Sequence, residues 1–370
     1  MKKILLIKTS SLGDIIQAYP VLDFLHDKFP KAEIDWVVER PFEELVRAHP
    51  KINNVLCVAT KEWRCRFYCL SILKEIRDFW RQLRRNNYDV VFDLQGNVKS
   101  GLILSQVKSR QKVGFGKKSV PEWPNTFFTN KRFNPPAGGN IREDYLAVVK
   151  AFFSDTTPCA VSSPSHSNKV TLKISDIQKA AVQSVLQNVF FEGHLKVVIC
   201  PGSAWRNKQM TLEALLVFLS GVQEHLRCHF LFLWGSFEEK ALVDQLHEHF
   251  MRHSLVIDRM SLPMVQNLMM EVDLVIAMDS LPLHLAGTTL TPSFSIFGPS
   301  LAQKYKPIGP QHFAFQGACP YGSIFEKRCP ILRTCPTGAC IRELAGDGEL
   351  IIKFRNWWDS YNRDNCKGKF

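Results

Sequence analysis

The chain has 370 residues, 45% hydrophobic and 22% charged, with a formal net charge of +12, a composition ordinary for a soluble globular protein. Its length is too great for one compact core and predicts two domains. The N-terminal apolar run is too short for a secretory signal, and no run approaches the roughly 18 apolar residues of a membrane span. A cytoplasmic protein is expected.

The opening run Ile4, Leu5, Leu6, Ile7 reads as a buried strand. Lys8-Thr9-Ser10-Ser11-Leu12-Gly13-Asp14 follows as a tight turn, and a helical pattern runs through Ile15, Ile16, Ala18, Leu22 and Leu25. Asp14 thus falls near the free N–H groups of a helix N-terminus, where a charged carboxylate is favoured. A carboxylate held there can take a proton from a substrate hydroxyl, although the same position also suits a simple helix cap. Further strands are predicted at 33–38, 54–58 and 88–93, with helices around 42–47 and 70–86. Residues 116–140, with Pro121, Pro124, Pro135, Pro136, Gly138 and Gly139, read as a long loop. A helix over 143–153 and a Ser/Thr/Pro-rich linker over 154–168 complete this half.

The alternation then restarts. Strands are predicted at 196–200, 229–234, 255–257, 274–278 and 292–297. Helices are expected from about 211, over 238–250, near 264–271, at 284–285 and over 349–361. Strands separated by helices imply parallel, doubly wound sheets, so the expected architecture is α/β with two Rossmann-like domains facing across a cleft. The predicted division is residues 1–168, 169–345, and a C-terminal helix and tail over 346–370. In such sheets ligands lie outside the carboxyl ends of the strands. Asp14, Ser203, Gly235, Asp279 and Gly298 all fall at strand ends.

Several of these loops carry chemistry. Pro201-Gly202-Ser203-Ala204-Trp205-Arg206-Asn207-Lys208 offers backbone N–H groups, a hydroxyl and cations of the kind a diphosphate needs. An ordinary strand–helix turn uses the same residue types, and neither a Walker motif nor G-x-G-x-x-G is present. Glu238 and Glu239 open a helix, where acids are common, yet an acid there can also bind a ribose. Asp279 and His284 read equally as a cap and a core histidine, or as an acid and imidazole on one rim. No D-x-D triplet is present to hold a divalent ion against a diphosphate. Lys208, main-chain N–H groups and a helix dipole would then have to stabilise a departing diphosphate. The charge is unevenly placed: residues 61–118 hold fourteen Lys/Arg and five Asp/Glu. Its densest part interleaves Trp63, Phe67, Tyr68, Phe79 and Trp80 with arginines, which suits an anionic substrate, a membrane surface or a solvated helix face. Nucleic acid is not expected, because no recognition motif accompanies the charge.

The order of these motifs resembles that of the lipopolysaccharide heptosyltransferases of glycosyltransferase family 9, over nearly the whole chain. The resemblance is carried by residues 8–14, by Asp35-Trp36-Val37-Val38-Glu39, and by Tyr88-Asp89 through Asp93-Leu94-Gln95-Gly96 with Lys99-Ser100. Residues 201–208, Trp234-Gly235, 279–284 and Phe297-Gly298-Pro299 continue it, and type I members match best. It implies a GT-B fold and inverting transfer from ADP-heptose to the Kdo region of the lipopolysaccharide inner core, without metal or cofactor. Asp14 matches the general base. Ser203 and Lys208 match the phosphate-holding residues, and Glu238, with Glu239 one residue away, matches the ribose acid. Asp279, Ser280 and His284 match the donor loop, and Ser10, Ser11, Lys61, Trp63, Arg64 and Arg66 fall where the family meets its anionic, lipid-linked acceptor. Transient contact with the cytoplasmic face of the inner membrane is expected.

Three departures stand out. Leu281 replaces a usual glycine, Ala204 replaces a second hydroxyl in the phosphate loop, and Glu62 and Cys65 stand among the expected cations. They motivate two alternatives, another surface polysaccharide or lipid-linked acceptor, or a nucleotide-sugar-binding protein without turnover. Among eleven cysteines, Cys319, Cys329, Cys335 and Cys340 cluster and resemble a Cys-rich tail of type II and related members. Their spacing is not that of a zinc ribbon, so structural metal and reduced, locally packed thiols both stay open.

Overall fold

The computed structural model describes residues 1–66, 68–157 and 169–366. They divide into two units: residues up to 157 with Val170–Lys173 form the first, and Lys169 with Ile174 onward the second. Phe67 and most of the expected linker, residues 158–168, lie outside the described residues.

The first unit runs β1 Lys3–Ile7, α1 Leu12–Gln17, α2 Tyr19–Lys28, β2 Glu33–Glu39, α3 Glu43–Arg47, β3 Asn54–Val58, α4 Thr60–Cys65 and α5 Leu70–Arg85. It continues with β4 Val90–Asp93, α6 Val98–Ser105, β5 Lys112–Phe115, β6 Lys131–Phe133 and α7 Ile141–Phe152. All six strands are parallel, in the order β3-β2-β1-β4-β5-β6. The central strands are buried on both faces, which is why they read as continuous apolar runs. The expected loop over 116–140 contains β6 and a short 3-10 turn at Trp123–Phe127. β6 was hidden because its Lys131 and Arg132 face out on a sheet edge, leaving no apolar pattern. The single helical pattern after the first turn is two helices, broken at Ala18 ahead of Pro20.

The second unit repeats the plan. It comprises α8 Asp176–Leu186, β7 Leu195–Cys200, α9 Leu212–Leu226, β8 Cys228–Phe232, α10 Phe237–His249 and β9 Ser254–Val256. α11 Leu262–Met270, β10 Leu274–Met278, α12 Leu281–Ala286, β11 Ser293–Phe297, α13 Ala302–Tyr305 and β12 His312–Gln316 follow. α14 Ala339–Arg342 and α15 Glu349–Cys366 close the chain. The parallel order is β12-β11-β10-β7-β8-β9, the same topology in local numbering. α15 packs Phe354 against Phe218 and Phe294, so the C-terminal helix belongs to this core. In each unit the chain reverses direction across the sheet at one pair of strands, β1/β4 and β7/β10. Loops leaving the carboxyl ends of such a pair splay apart and leave room for a ligand.

Candidate active site

At the β1/β4 switch point the first loop is fixed by an amide. The Gln95 side-chain carbonyl accepts the N–H groups of Thr9 and Ser10 at 3.0 and 3.1 Å. Gln95 is set in turn by fully buried Asp93, which accepts the N–H groups of Gln95 and Gly96, both at 3.0 Å. Ser100 Oγ and Asn125 Nδ2 also donate to Asp93, at 2.8 and 2.6 Å. Burial pushes the Asp93 carboxyl above its ordinary value, against the pull of these donors. Gly96 turns here at φ +72°, with an added Cβ only 2.6 Å from Pro121 Cδ, so only glycine fits.

Asp14 is the third residue of α1 and is half-buried. Its Oδ2 accepts the N–H of Ser11 at 3.1 Å and the Ser11 hydroxyl at 2.7 Å. This is a helix cap, and it also locks the carboxylate in one orientation beside the loop Gln95 holds. Capping and presenting an oriented carboxylate are therefore compatible. Ser11 spends its hydroxyl on Asp14, while Ser10 is reached through its backbone.

α4 opens next to this region. The Thr60 hydroxyl and N–H both donate to Glu39, and Lys99 Nζ reaches Glu39 Oε1 at 3.1 Å and Thr60 Oγ1 at 3.0 Å. Lys61, Arg64 and Arg66 stand exposed. Trp63 differs from them: its Nε1 donates to Glu75 at 2.7 Å and its ring packs on Phe79, so in this structure it anchors α4. Glu62 pairs with Arg40 at 2.8 Å, so it does not cancel the charge of its cationic neighbours. α5 buries Ile72, Phe79 and Leu83 and exposes Arg77, Arg81, Arg84 and Arg85, so much of the basic stretch is a solvated helix face.

At the β7/β10 switch point the fixture is ionic. Lys208 Nζ lies 2.5 Å from Asp279 Oδ2, and both residues are buried. Burial alone would raise the Asp279 carboxyl, but the Lys208 ammonium and then His284 outweigh it and hold it below the usual carboxylate range. The contact with the Asp279 carboxylate pre-positions Lys208 on the loop after β7. Ser203 is buried on the same loop, its carbonyl accepting the Gln209 amide at 2.5 Å. Ser280 is the N-cap of α12, and buried His284 follows one turn later.

The two candidate ribose acids separate. Glu239 accepts the N–H groups of Gly235 and Ser236 at 2.7 and 3.3 Å, and a Cβ on Gly202 would come within 2.4 Å of its carboxyl group. Glu239 therefore spans the loops after β7 and β8, whereas Glu238 is exposed on the first turn of α10. The backbone N–H of Glu238 and the Ser236 hydroxyl keep the Glu238 carboxyl below its ordinary value. Leu281 is half-buried at the first position of α12, and Ala204 is exposed.

The cysteine segment wraps the loop after β11. Cys329 N–H donates to Pro299 O at 2.7 Å, and an added Cβ on Gly298 would meet Cys340 Sγ at 3.2 Å. All four thiols are free. Burial first, then the neighbouring Cys319, Cys335 and Cys329, push the Cys340 thiol up to about 11. Among the described residues no group of three or more His, Cys, Asp or Glu is arranged to hold a metal ion.

Comparison with known proteins decides the family. The model for glycosyltransferase family 9 (heptosyltransferase) matches residues 76–333. Lipopolysaccharide heptosyltransferase 1 of Campylobacter coli is 31% identical over 315 residues, covering 82% of this chain and 86% of that protein. The chain belongs to glycosyltransferase family 9. As a family 9 member it is a glycosyltransferase of the heptosyltransferase type. The Escherichia coli heptosyltransferase WaaC with ADP superposes with a TM-score of 0.71 at 22% identity, covering 84% of this chain and 92% of that one. The same enzyme with ADP-2-deoxy-2-fluoro heptose gives 0.67, also at 22% identity, over 85% and 93%. The fold of this family 9 chain is accordingly GT-B, built from two parallel-sheet α/β units. Asp93, Gln95 and Glu239 hold the loops together through contacts that the sequence motifs containing them do not specify. The signal for Asp93 and Gln95 is the run Asp93-Leu94-Gln95-Gly96, which begins with the acid that ends the apolar β4.

Proposed function

We propose that this family 9 chain moves heptose from ADP-heptose to the Kdo region of a lipopolysaccharide inner core, with inversion and without a metal. The observation that carries the reading is the buried Lys208–Asp279 pair on the loops of the β7/β10 switch point. It supplies a fixed ammonium on the 201–208 loop that also carries Ser203 and main-chain N–H groups, the requirements for a diphosphate. The donor class follows the relatives, one named a lipopolysaccharide heptosyltransferase and one solved with ADP and an ADP-heptose analogue.

In this reading the acceptor hydroxyl attacks the anomeric carbon as the bond to the diphosphate breaks. Asp14, oriented by Ser11, takes the hydroxyl proton, and ADP leaves onto Lys208 and the loop amides. Ser280 and His284 line the donor loop with Asp279, and Glu239 shares the ribose role with Glu238, on the strength of its contact with the phosphate loop. Lys61, Arg64 and Arg66, with Ser10, meet the anionic acceptor. Tyr68 just before α5, and Leu70 and Leu73 in its first turn, are exposed and close in sequence to these cations, which supports reversible, salt-sensitive contact with an anionic membrane surface. Among the described residues no helix is long and apolar enough to cross a membrane.

Purified protein with ADP-heptose and a Kdo-lipid acceptor provides the test. Acceptor-dependent ADP release that persists in EDTA and is lost in Asp14→Asn with ADP binding retained is the expected result. Binding without release in the unmodified protein would instead favour a nucleotide-sugar-binding module, the outcome Leu281 and Ala204 would explain. Release that requires a different acceptor would move the assignment to another surface polysaccharide.

A further inference from the structure

The second unit carries a cavity of about 340 Å³ between the 205–207 turn of the phosphate loop and the cysteine segment, and neither Ser203 nor Lys208 lines it. Arg206, Arg333 and Arg342 line it, and no acidic residue among the described residues does. Its walls are built. Asn207 Nδ2 donates to the carbonyls of Leu332 and Cys335, both at 2.9 Å, tying the turn to the cysteine segment. Gly338 adopts φ +60°, and a Cβ there would fall 2.7 Å from Asn207 Oδ1, so the close approach needs glycine. The Arg333 guanidinium lies over the Trp205 ring at 4.6 Å, making a flat wall of an indole and a cation.

Three arginines lining one cavity without a carboxylate are poorly balanced unless an anion joins them, and guanidinium forks match phosphate oxygens in pairs. The volume lies within the roughly 300–1,000 Å³ that small-ligand sites occupy. The indole and the Thr337 hydroxyl supply the apolar and polar faces a sugar ring presents. From this geometry we infer that the cavity is a second binding site, specific for a phosphate-bearing saccharide, on the far side of the 201–208 loop and apart from the Ser203 and Lys208 side chains. It uses neither Asp14 nor Lys208, so it stands or falls apart from the proposed transfer reaction.

Cys335 also lines the cavity and reports on it. The N–H groups of Gly338 and Thr337 hold its thiol below the ordinary value, which favours the nucleophilic thiolate. The experiment alkylates the full chain with iodoacetamide and follows each cysteine by mass spectrometry, with exposed Cys65 as the internal reference. A hexose phosphate at ten times its dissociation constant is expected to slow Cys335 alkylation by about tenfold. The protection should disappear in Arg333→Ala and Arg342→Ala and persist in Lys208→Ala. Unchanged Cys335 reactivity in those arginine variants without ligand shows that the pocket still folds. Protection by ADP alone that depends on Lys208 overturns the inference, because the cavity is then an edge of the donor site. Equal protection by inorganic phosphate overturns the saccharide assignment, and no protection by either phosphate overturns the site.

Discussion

The two switch points share a topology and differ in what fixes their loops. At β1/β4 a neutral amide, Gln95, holds two main-chain N–H groups, and the charged group, Asp14, sits half-buried on a short helix. At β7/β10 two opposite charges are buried against each other, Lys208 on Asp279. The contrast suits a division of labour. A base must stay accessible to a neutral hydroxyl and change protonation state in each turnover. A leaving-group site needs a constant positive charge that survives burial, and a buried ammonium keeps its charge most readily beside a carboxylate.

The largest expected effect lies on the first side. Asp14→Asn should lower kcat by about 10²–10⁴, measured as acceptor-dependent ADP release, because a positioned base contributes that much. On the second side, Lys208→Ala should cost about 3–5 kcal/mol in chemical denaturation of the second unit, since it strands Asp279 as a buried, uncompensated charge. Lys208→Ala combined with Asp279→Ala should recover part of that loss, and equal losses in both variants would argue against the pair. Gln95→Ala leaves the Thr9 and Ser10 N–H groups without their acceptor and should cost about 1–3 kcal/mol, read in the same way for the first unit.

The smallest effects concern pH and sharpen the contrast further. The Asp279 carboxyl is depressed, so its stabilisation is present above the ordinary carboxylate range and is lost only as pH falls through its folded value. In the first unit, buried His49 is held neutral down to about 3 by burial, then by Lys51 and Lys173. The unfolded chain binds that proton near 6.5, so His49 should remove up to about 1.4 kcal/mol per pH unit as pH drops below that value. His49→Phe should flatten the slope measured by urea titration at successive pH values between 6.5 and 4, and an unaltered slope would exclude His49 as its source.

How much was legible depends on the kind of signal. Both sheets were readable because their central strands are continuous apolar runs, and β10 begins and ends where its run does, at Leu274 and Met278. β5, β6 and β12 were not: β5 is Lys-Val-Gly-Phe, whose lysine and glycine break the apolar run, β6 carries two exposed cations at an edge, and β12 is an edge strand opened by His312 and closed by Gln316. The strand-end loops of the candidate site were visible in order along the chain. Their cross-links were not: Gln95 to Thr9 spans 86 positions and Lys208 to Asp279 spans 71, and no local pattern encodes which polar groups meet over such separations. Helical periodicity likewise could not rank Glu238 against Glu239. The Ser236 cap does, by turning the third residue of α10 back toward Gly235 and Gly202.

The central claim is that the proton-accepting and diphosphate-holding tasks sit on different units. Titrating ADP into Asp14→Asn and Lys208→Ala by calorimetry tests it most directly. The account predicts affinity unchanged in the first and weakened by at least about tenfold in the second, the equivalent of one lost charge-assisted contact. Weakened ADP binding in Asp14→Asn with unaltered binding in Lys208→Ala would contradict it.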